Sequence, residues 1–286
     1  MNFGRFERQI RLFGEDGQKK FQNTSVAIVG AGGLGSHVVQ QLGFLGVGSL
    51  IIVDPDELEE TNRNRLIGVH YNDPIPGTKK VGIAKRLINT IDPSIKVEAV
   101  FKELRTEEAF SKIKKSNYVF GCVDNDGSRL ILTELCNAFG IPYFDLASDI
   151  INEKSGLSYG GRVLVNFDDK GCLCCYKIIS LSNASIELES EEARRDKDEI
   201  YGVSREYLNS TGPSVVSIDG VVASLAVTEF MAMISGLRSP KRLLYYHGHL
   251  GVVNVSVDKP QPDCYYCKSI RGKYNDANIG RYLKRK

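Results

Sequence analysis

The 286-residue sequence predicts an α/β fold, a mostly parallel sheet with antiparallel additions and helices on both faces. Three observations carry this. Short apolar runs recur along the chain, helix-like stretches separate them as far as residue 147, and the later runs follow without an intervening crossover. In order, the apolar run Ser25 to Val29 enters GAGGLGS, a helical pattern covers Gly33 to Leu45, and a second apolar run, Ser49 to Val53, stops at Asp54. That is a strand, turn, helix, strand unit. Apolar runs at Lys96 to Phe101, Tyr118 to Val123 and Tyr143 to Ala147 continue the alternation, so the sheet grows by parallel crossovers. Tyr159 to Phe167 and Arg242 to Val257 are strand-like and predict the antiparallel additions. Between them, Ser180 to Thr211 is polar and acidic and reads as a long surface loop with one short helix.

Composition narrows the function. A hydrophobic fraction of 42% with 25% charged residues describes a folding chain rather than a disordered one. The net charge of +2 gives no general electrostatic reason to expect nucleic acid. Arg5, Glu7, Arg8 and Arg11 stand where a signal peptide needs an apolar run, and Glu229 interrupts the best apolar stretch, Gly220 to Leu237. The expectation is a cytoplasmic protein with no membrane span. In a reducing compartment, seven cysteines, most of them clustered, point to metal or chemistry rather than disulfides.

Gly30, Gly32 and Gly35 fit G-x-G-x-x-G between a strand and a helix, with Gly33 inside the same turn. Missing side chains there let backbone N–H groups and the helix N-terminus approach phosphate oxygens, as in a Rossmann-like nucleotide site. Asp54, 19 residues past Gly35, is placed to accept hydrogen bonds from a ribose. A dinucleotide for hydride transfer and a triphosphate for adenylation both fit this much. The residues after the second strand favour the triphosphate. Asn62 and Arg65 lie in TNRNR, Lys80 in GTKKV and Asp124 in GCVDND. Arginine and lysine neutralise a polyphosphate, and an aspartate is a hard oxygen ligand for Mg²⁺. Singly, each has a plainer reading: Lys79 and Lys80 as a solvated face, Asn62 and Arg65 as loop caps, Asp124 as a helix N-cap. Their joint position at the C-terminal ends of strands argues for the ligand.

Cys172 with Cys175, and Cys264 with Cys267, form two C-x-x-C pairs 89 residues apart that can present four thiolates to one Zn²⁺. Cys174 makes the local sequence CLCC and competes with its neighbours as ligand. Cys122 and Cys136 read as packing residues. His37, His70, His247 and His249 form no nucleophile and base arrangement.

RFERQIRLFG, GAGGLGS, DPDELEETNRNR, GTKKV, CVDND and the two C-x-x-C pairs together resemble the ThiF, MoeB and HesA family, over roughly Arg5 to Cys267. The resemblance implies an adenylyltransferase that activates the C-terminal glycine carboxylate of a ubiquitin-fold or ThiS-like carrier protein or peptide. It implies that Arg8 reaches into the ATP site of a neighbouring protomer, so the chain is a homodimer. Asp54 and Asp56 then face the nucleotide, Asn62, Arg65 and Lys80 contact phosphates, and Asp124 is the metal-associated aspartate. Asn125 and Arg129 share that motif without an assigned role, and Arg63 departs from the family pattern with an effect on packing rather than chemistry. Two C-x-x-C pairs placed this way make the zinc site structural, and the whole of 1–286 becomes one adenylation domain with a basic tail at 268–286.

A C-terminal carboxylate, with a pKa of about 3.3 to 3.7, is already a nucleophile at neutral pH and needs no general base. No cysteine falls in YLNSTGPSVVSIDG, ahead of the last core helix, where relatives carry a thioester-forming thiol. The acyl-adenylate therefore passes to an external nucleophile: a sulfur donor, an amine or the cysteine of a conjugating enzyme. Two alternatives stand beside this: activation and cyclisation of a carboxylate on modified tRNA, against which the modest charge argues, and an inactive scaffold. The basic C-terminal segment reads as a frayed tail.

Overall fold

The computed structural model describes residues 4–153, 156–189 and 213–284. A short turn of helix leads into α1 (Glu7–Gln22), followed by β1 (Ser25–Val29), α2 (Gly33–Leu45), β2 (Ser49–Val53), α3 (Lys80–Ile91) and β3 (Lys96–Val100). Next come α4 (Glu107–Ile113), β4 (Tyr118–Gly121), α5 (Asp126–Phe139), β5 (Tyr143–Glu153) and β6 (Gly156–Asn166). The chain finishes with α6 (Leu181–Leu188), α7 (Val216–Ser235), β7 (Leu243–His247), β8 (Val252–Val255) and short helical turns.

The eight strands among the described residues form one sheet in the order β3-β2-β1-β4-β5-β6-β7-β8. The pairs from β3 to β5 are parallel and those from β5 to β8 antiparallel, as the periodicity predicts. The alternation of side chains splits the core in two. Val26, Ile28, Leu50 and Ile52 face α1, α2, α3 and α7, while Ala27, Val29, Ile51 and Val53 face α4 and α5. Phe120 stacks on Phe144 with centroids 4.7 Å apart, and Phe230 of α7 meets both edge-on.

Three expectations change. β5 runs to Glu153, well past Ala147, because β6 pairs with it along its full length. The apolar stretch Arg242 to Val257 is two strands, folded back through a turn at 248–251. The C-terminal segment is not a frayed tail: Ala277 and Ile279 are buried, and the Tyr282 hydroxyl donates to buried Glu134 at 2.6 Å. Apolar contacts and a buried acceptor hold it, which composition alone does not reveal.

α6 supplies the short helix expected after Ser180, and residues 190–212 of the acidic segment lie outside the described residues. α7 is long and apolar enough to cross a membrane by length and composition alone. Its buried face packs on the sheet, however, and Glu229 within it accepts from both Arg238 Nη atoms at 2.6 Å and from Lys241 N–H at 2.7 Å. A buried carboxylate with three donors belongs to a core helix.

Candidate active site

A cleft of about 1070 Å³ opens over the C-terminal ends of β1, β2 and β4 and continues along β5, β6 and β7. It sits at the switch point where β1 has β2 on one side and β4 on the other. The glycine turn forms its floor. Gly30 has φ +92°, and a Cβ there would lie 2.4 Å from the Cys122 carbonyl oxygen; one at Gly35 would lie 1.9 Å from the Gly30 oxygen. Those two glycines are required by backbone packing. A Cβ at Gly32 would meet nothing within 4 Å, so the space above Gly32, at the N-cap of α2, is open to a ligand.

Asp54 is 5% exposed and does not line the cleft. Its Oδ2 accepts from Ala31 N–H at 2.6 Å and its Oδ1 from Asp56 N–H at 2.8 Å, so it ties the turn to the end of β2. Burial raises its pKa, and the Ala31 N–H works against that rise. The expected ribose contact therefore has Asp56 as its cleft-facing candidate. Asp56 pairs with Lys80, whose side chain is 11% exposed, at 2.8 Å. This placement, at the first turn of α3, is not the solvated face that GTKKV alone permits. Asn62 is buried and its Oδ1 accepts from Glu59 N–H, closing a capping box that turns the chain toward Arg65. Arg65 lines the cleft and donates to Asn64 Oδ1 at 3.1 Å. Arg63 clamps the adjoining loop, donating to the carbonyls of His70 and Asp73 at 2.9 Å each, which is the packing role its departure from the family pattern implies.

Across the cleft, Asn125 rather than Asp124 caps α5, accepting from Ser128 N–H at 2.8 Å. Asp124 is thereby left exposed at the cleft, where its Oδ1 accepts from Asn125 Nδ2 at 3.2 Å and its other oxygen faces a space that suits a cation. Beneath it lies a charged layer not singled out by sequence reasoning. Asp145, fully buried, accepts from Tyr143 OH at 2.7 Å and pairs with Arg162 at 2.5 Å, while the Arg129 guanidinium lies 3.5 Å away. Asp219 of α7 accepts from Ser148 at 2.7 Å and Ser214 at 2.8 Å beside Gly33. Asp145 meets Arg129 and Arg162, and Asp219 meets Ser148, only through the fold; of these residues Arg129 alone had a signal, its place in the CVDND motif.

Arg8 stands exposed on α1 and does not line the cleft of its own chain. His247 and His249 lie at the far end of the cleft with ring centroids 6.0 Å apart, one on β7 and one in the following turn. Cys122 lines the cleft, but burial, with Asp145 and Asp219 adding, pushes its thiol well up, and burial does the same to Cys136. Neither is a thiolate nucleophile at neutral pH.

A second cluster lies apart from the cleft. The sulfurs of Cys172, Cys175, Cys264 and Cys267 all lie within 4.8 Å of one another and are buried. Tetrahedral zinc with bonds of about 2.3 Å places its sulfurs roughly 3.8 Å apart, so the four thiols fit that ion. Cys174 is half-buried, stands outside the group of four and packs against it.

The chain matches the ThiF family over residues 6–266. The SAMP-activating enzyme E1 of Haloferax volcanii is 34% identical over 140 residues, 48% of this chain and 51% of that protein. The adenylyltransferase and sulfurtransferase MOCS3 of Drosophila sechellia is 27% identical over 278 residues, 94% of this chain and 54% of that protein. The chain spans about half the length, or less, of the curated relatives it matches. Among solved structures, E. coli MccB with MccA-N7isoASN superposes with a TM-score of 0.70 at 20% identity, covering 93% of this chain and 75% of that one. MccB with ATP gives a TM-score of 0.68 at 20% identity, over the same shares. That likeness is one of fold.

Proposed function

The chain belongs to the ThiF family, and from that premise we propose that it uses ATP to adenylate the C-terminal carboxylate of a ubiquitin-like carrier protein or peptide, releasing pyrophosphate. One observation carries the reading: an open glycine turn, two cleft-lining cations at Arg65 and Lys80, and an exposed Asp124 that does not cap its helix converge on one cleft. The names of the relatives, adenylyltransferase, sulfurtransferase and activating enzyme E1, support it.

The triphosphate lies over Gly32 and Gly33, where the N-terminus of α2 receives the phosphates, and Arg65 and Lys80 balance their charge. Asn62 holds the loop that carries Arg65. Asp56 meets the ribose and Asp54 holds the turn from behind. Asp124 would hold Mg²⁺, which supplies charge neutralisation between the phosphates. The substrate carboxylate, ionised at neutral pH, attacks the α-phosphorus, and the bond to pyrophosphate breaks. Arg8 completes the site of a second copy in a homodimer, since it stands away from its own. Cys122 and Cys136 are held as thiols, and Cys174 packs against the zinc cluster away from the cleft, so the acyl group passes to an external acceptor such as a sulfur donor, an amine or a partner enzyme's cysteine. Zinc on the four cysteines is structural, with no open ligand position. Residues 1–286 act as one cytoplasmic domain.

Pyrophosphate exchange into ATP tests this. Exchange is expected only with a carrier ending in glycine, and Asp124→Ala is expected to reduce it at least about a thousand-fold. Exchange driven by tRNA and by no carrier overturns the reading. Arg8→Ala and Asp124→Ala chains, each inactive, are expected to regain activity in confirmed mixed dimers; no recovery overturns the shared site.

A further inference from the structure

The basic C-terminal segment has no part in the chemistry above, yet its residues 282–284 reach the rim of the cleft. After Cys267 the chain runs along α5: Gly272 N–H donates to the Asn137 carbonyl at 3.1 Å, and the Tyr274 ring meets Phe139 edge-on at 5.7 Å. Ala277 and Ile279 are buried, and Arg281 and Tyr282 both hold the carboxylate of Glu134. The segment then closes on the loop between β3 and α4. Arg105 Nε donates to the Tyr282 carbonyl at 2.9 Å, Lys284 N–H donates to the Arg105 carbonyl at 3.0 Å, and the Lys284 ammonium pairs with Glu103. Glu103, Leu104 and Arg105 all line the cleft.

Their position in the sheet says which part of a nucleotide they would meet. An acidic residue at the end of β2 marks the ribose, so the base extends past β2 toward the edge strand β3, where this loop begins. Val53 and Leu104, with Val123 and Ile178 packed against them, give that end of the cleft an apolar wall. They share one core cluster with Ala277, Ile279 and Leu283 of the C-terminal segment. Only Nε of the Arg105 guanidinium is hydrogen-bonded among the described residues, which leaves its plane available to a flat ring.

Building on the nucleotide reading above, we infer that residues 271–284 form a strap that belongs to the nucleotide site, fixing Arg105 as a platform on which a purine base stacks. Arg105 would touch the nucleotide; Arg281 and Tyr282 act through it as positioning residues.

Binding measured by calorimetry on the full chain separates the outcomes, with Mg·ATP and Mg·tripolyphosphate as probes. Arg105→Ala should weaken ATP about ten-fold and leave tripolyphosphate unchanged, while Arg105→Lys, which keeps the charge and loses the plane, recovers only part. The double variant Arg281→Ala with Tyr282→Phe should weaken ATP by a smaller factor in the same base-dependent way. In the wild type, Mg·ATP should slow removal of the C-terminal residues by carboxypeptidase, and tripolyphosphate should not. Equal weakening of both probes, or none, overturns the inference. If the wild type binds tripolyphosphate and ATP equally, no base site exists and the inference also falls; if it binds neither, the nucleotide reading itself fails.

Discussion

The two halves of the sheet reach order by different means. In the parallel half, β3-β2-β1-β4, the cleft is shaped by neighbours in sequence: a glycine turn, an acid tied to that turn, a capping box at Asn62 and an Asn125 cap. In the antiparallel half the ties are long. Cys172 and Cys264 bring their sulfurs to 3.6 Å, Arg242 pairs with Asp168 at 2.7 Å, and Arg271 donates to the Phe167 carbonyl at 2.7 Å. A site built on backbone turns breaks when a side chain is added, whereas a half held by distant side chains breaks when one is removed.

Cys264→Ser is the largest test of that difference. One zinc per chain is expected by elemental analysis, and losing one of four ligands should release it and cost on the order of 5 kcal/mol of folding stability. Full zinc content in the variant, read with its denaturant midpoint, would refute the four-cysteine site. A paired substitution probes the other half. Gly35→Ala drives a Cβ against the Gly30 oxygen and should cost about 3 kcal/mol, while Gly32→Ala has open space and should change stability by less than about 0.5 kcal/mol. The Gly32 variant is nevertheless expected to bind ATP about ten-fold more weakly, because the added methyl enters the space assigned to phosphate. If both variants lose stability equally, the division of the turn into a packed part and an open part is wrong.

The same contrast explains what was legible in the sequence. The glycine turn and its flanking elements could be read directly because they form one strand, turn, helix, strand unit, whereas the tie of Asp54 to Ala31 N–H, which takes it out of the cleft, could not. The C-x-x-C pairs were legible because few roles other than metal binding suit that spacing. Asp219 was not, since its donor Ser148 lies 71 residues away on β5 and no periodicity links the two. Arg162 looks like an ordinary outward residue of a strand until β5 brings Asp145 beside it. The C-terminal strap was misread for the same reason: Glu134, the acceptor that holds Tyr282, lies 148 residues away. For Asp124, the motif came with a plausible helix-capping role, and only the geometry gives that role to Asn125.

Acid titration offers the smallest and most local test. Asp73, in the loop ahead of α3, accepts from both Nη atoms of Arg86, at 2.7 and 2.6 Å, and from His70 N–H at 2.7 Å. The Arg86 guanidinium lowers its pKa from 3.8 to about 2. A carboxyl with a depressed folded-state pKa contributes stability above its unfolded value, and that contribution is lost as the pH falls through the folded value. The pair therefore stabilises fully above about pH 4 and progressively less down to about pH 2. Arg86 is partly exposed, so screening limits the effect to about 1 kcal/mol. Denaturant titrations of Arg86→Ala should show that deficit at pH 7, with wild type and variant converging as the pH approaches 2. Because Arg63 also grips this loop through the backbone of His70 and Asp73, the loop should stay folded in the variant and the cleft should keep its ATP affinity. A variant that lost ATP binding along with the ion pair would show that the parallel half, too, depends on a side-chain tie outside its turns.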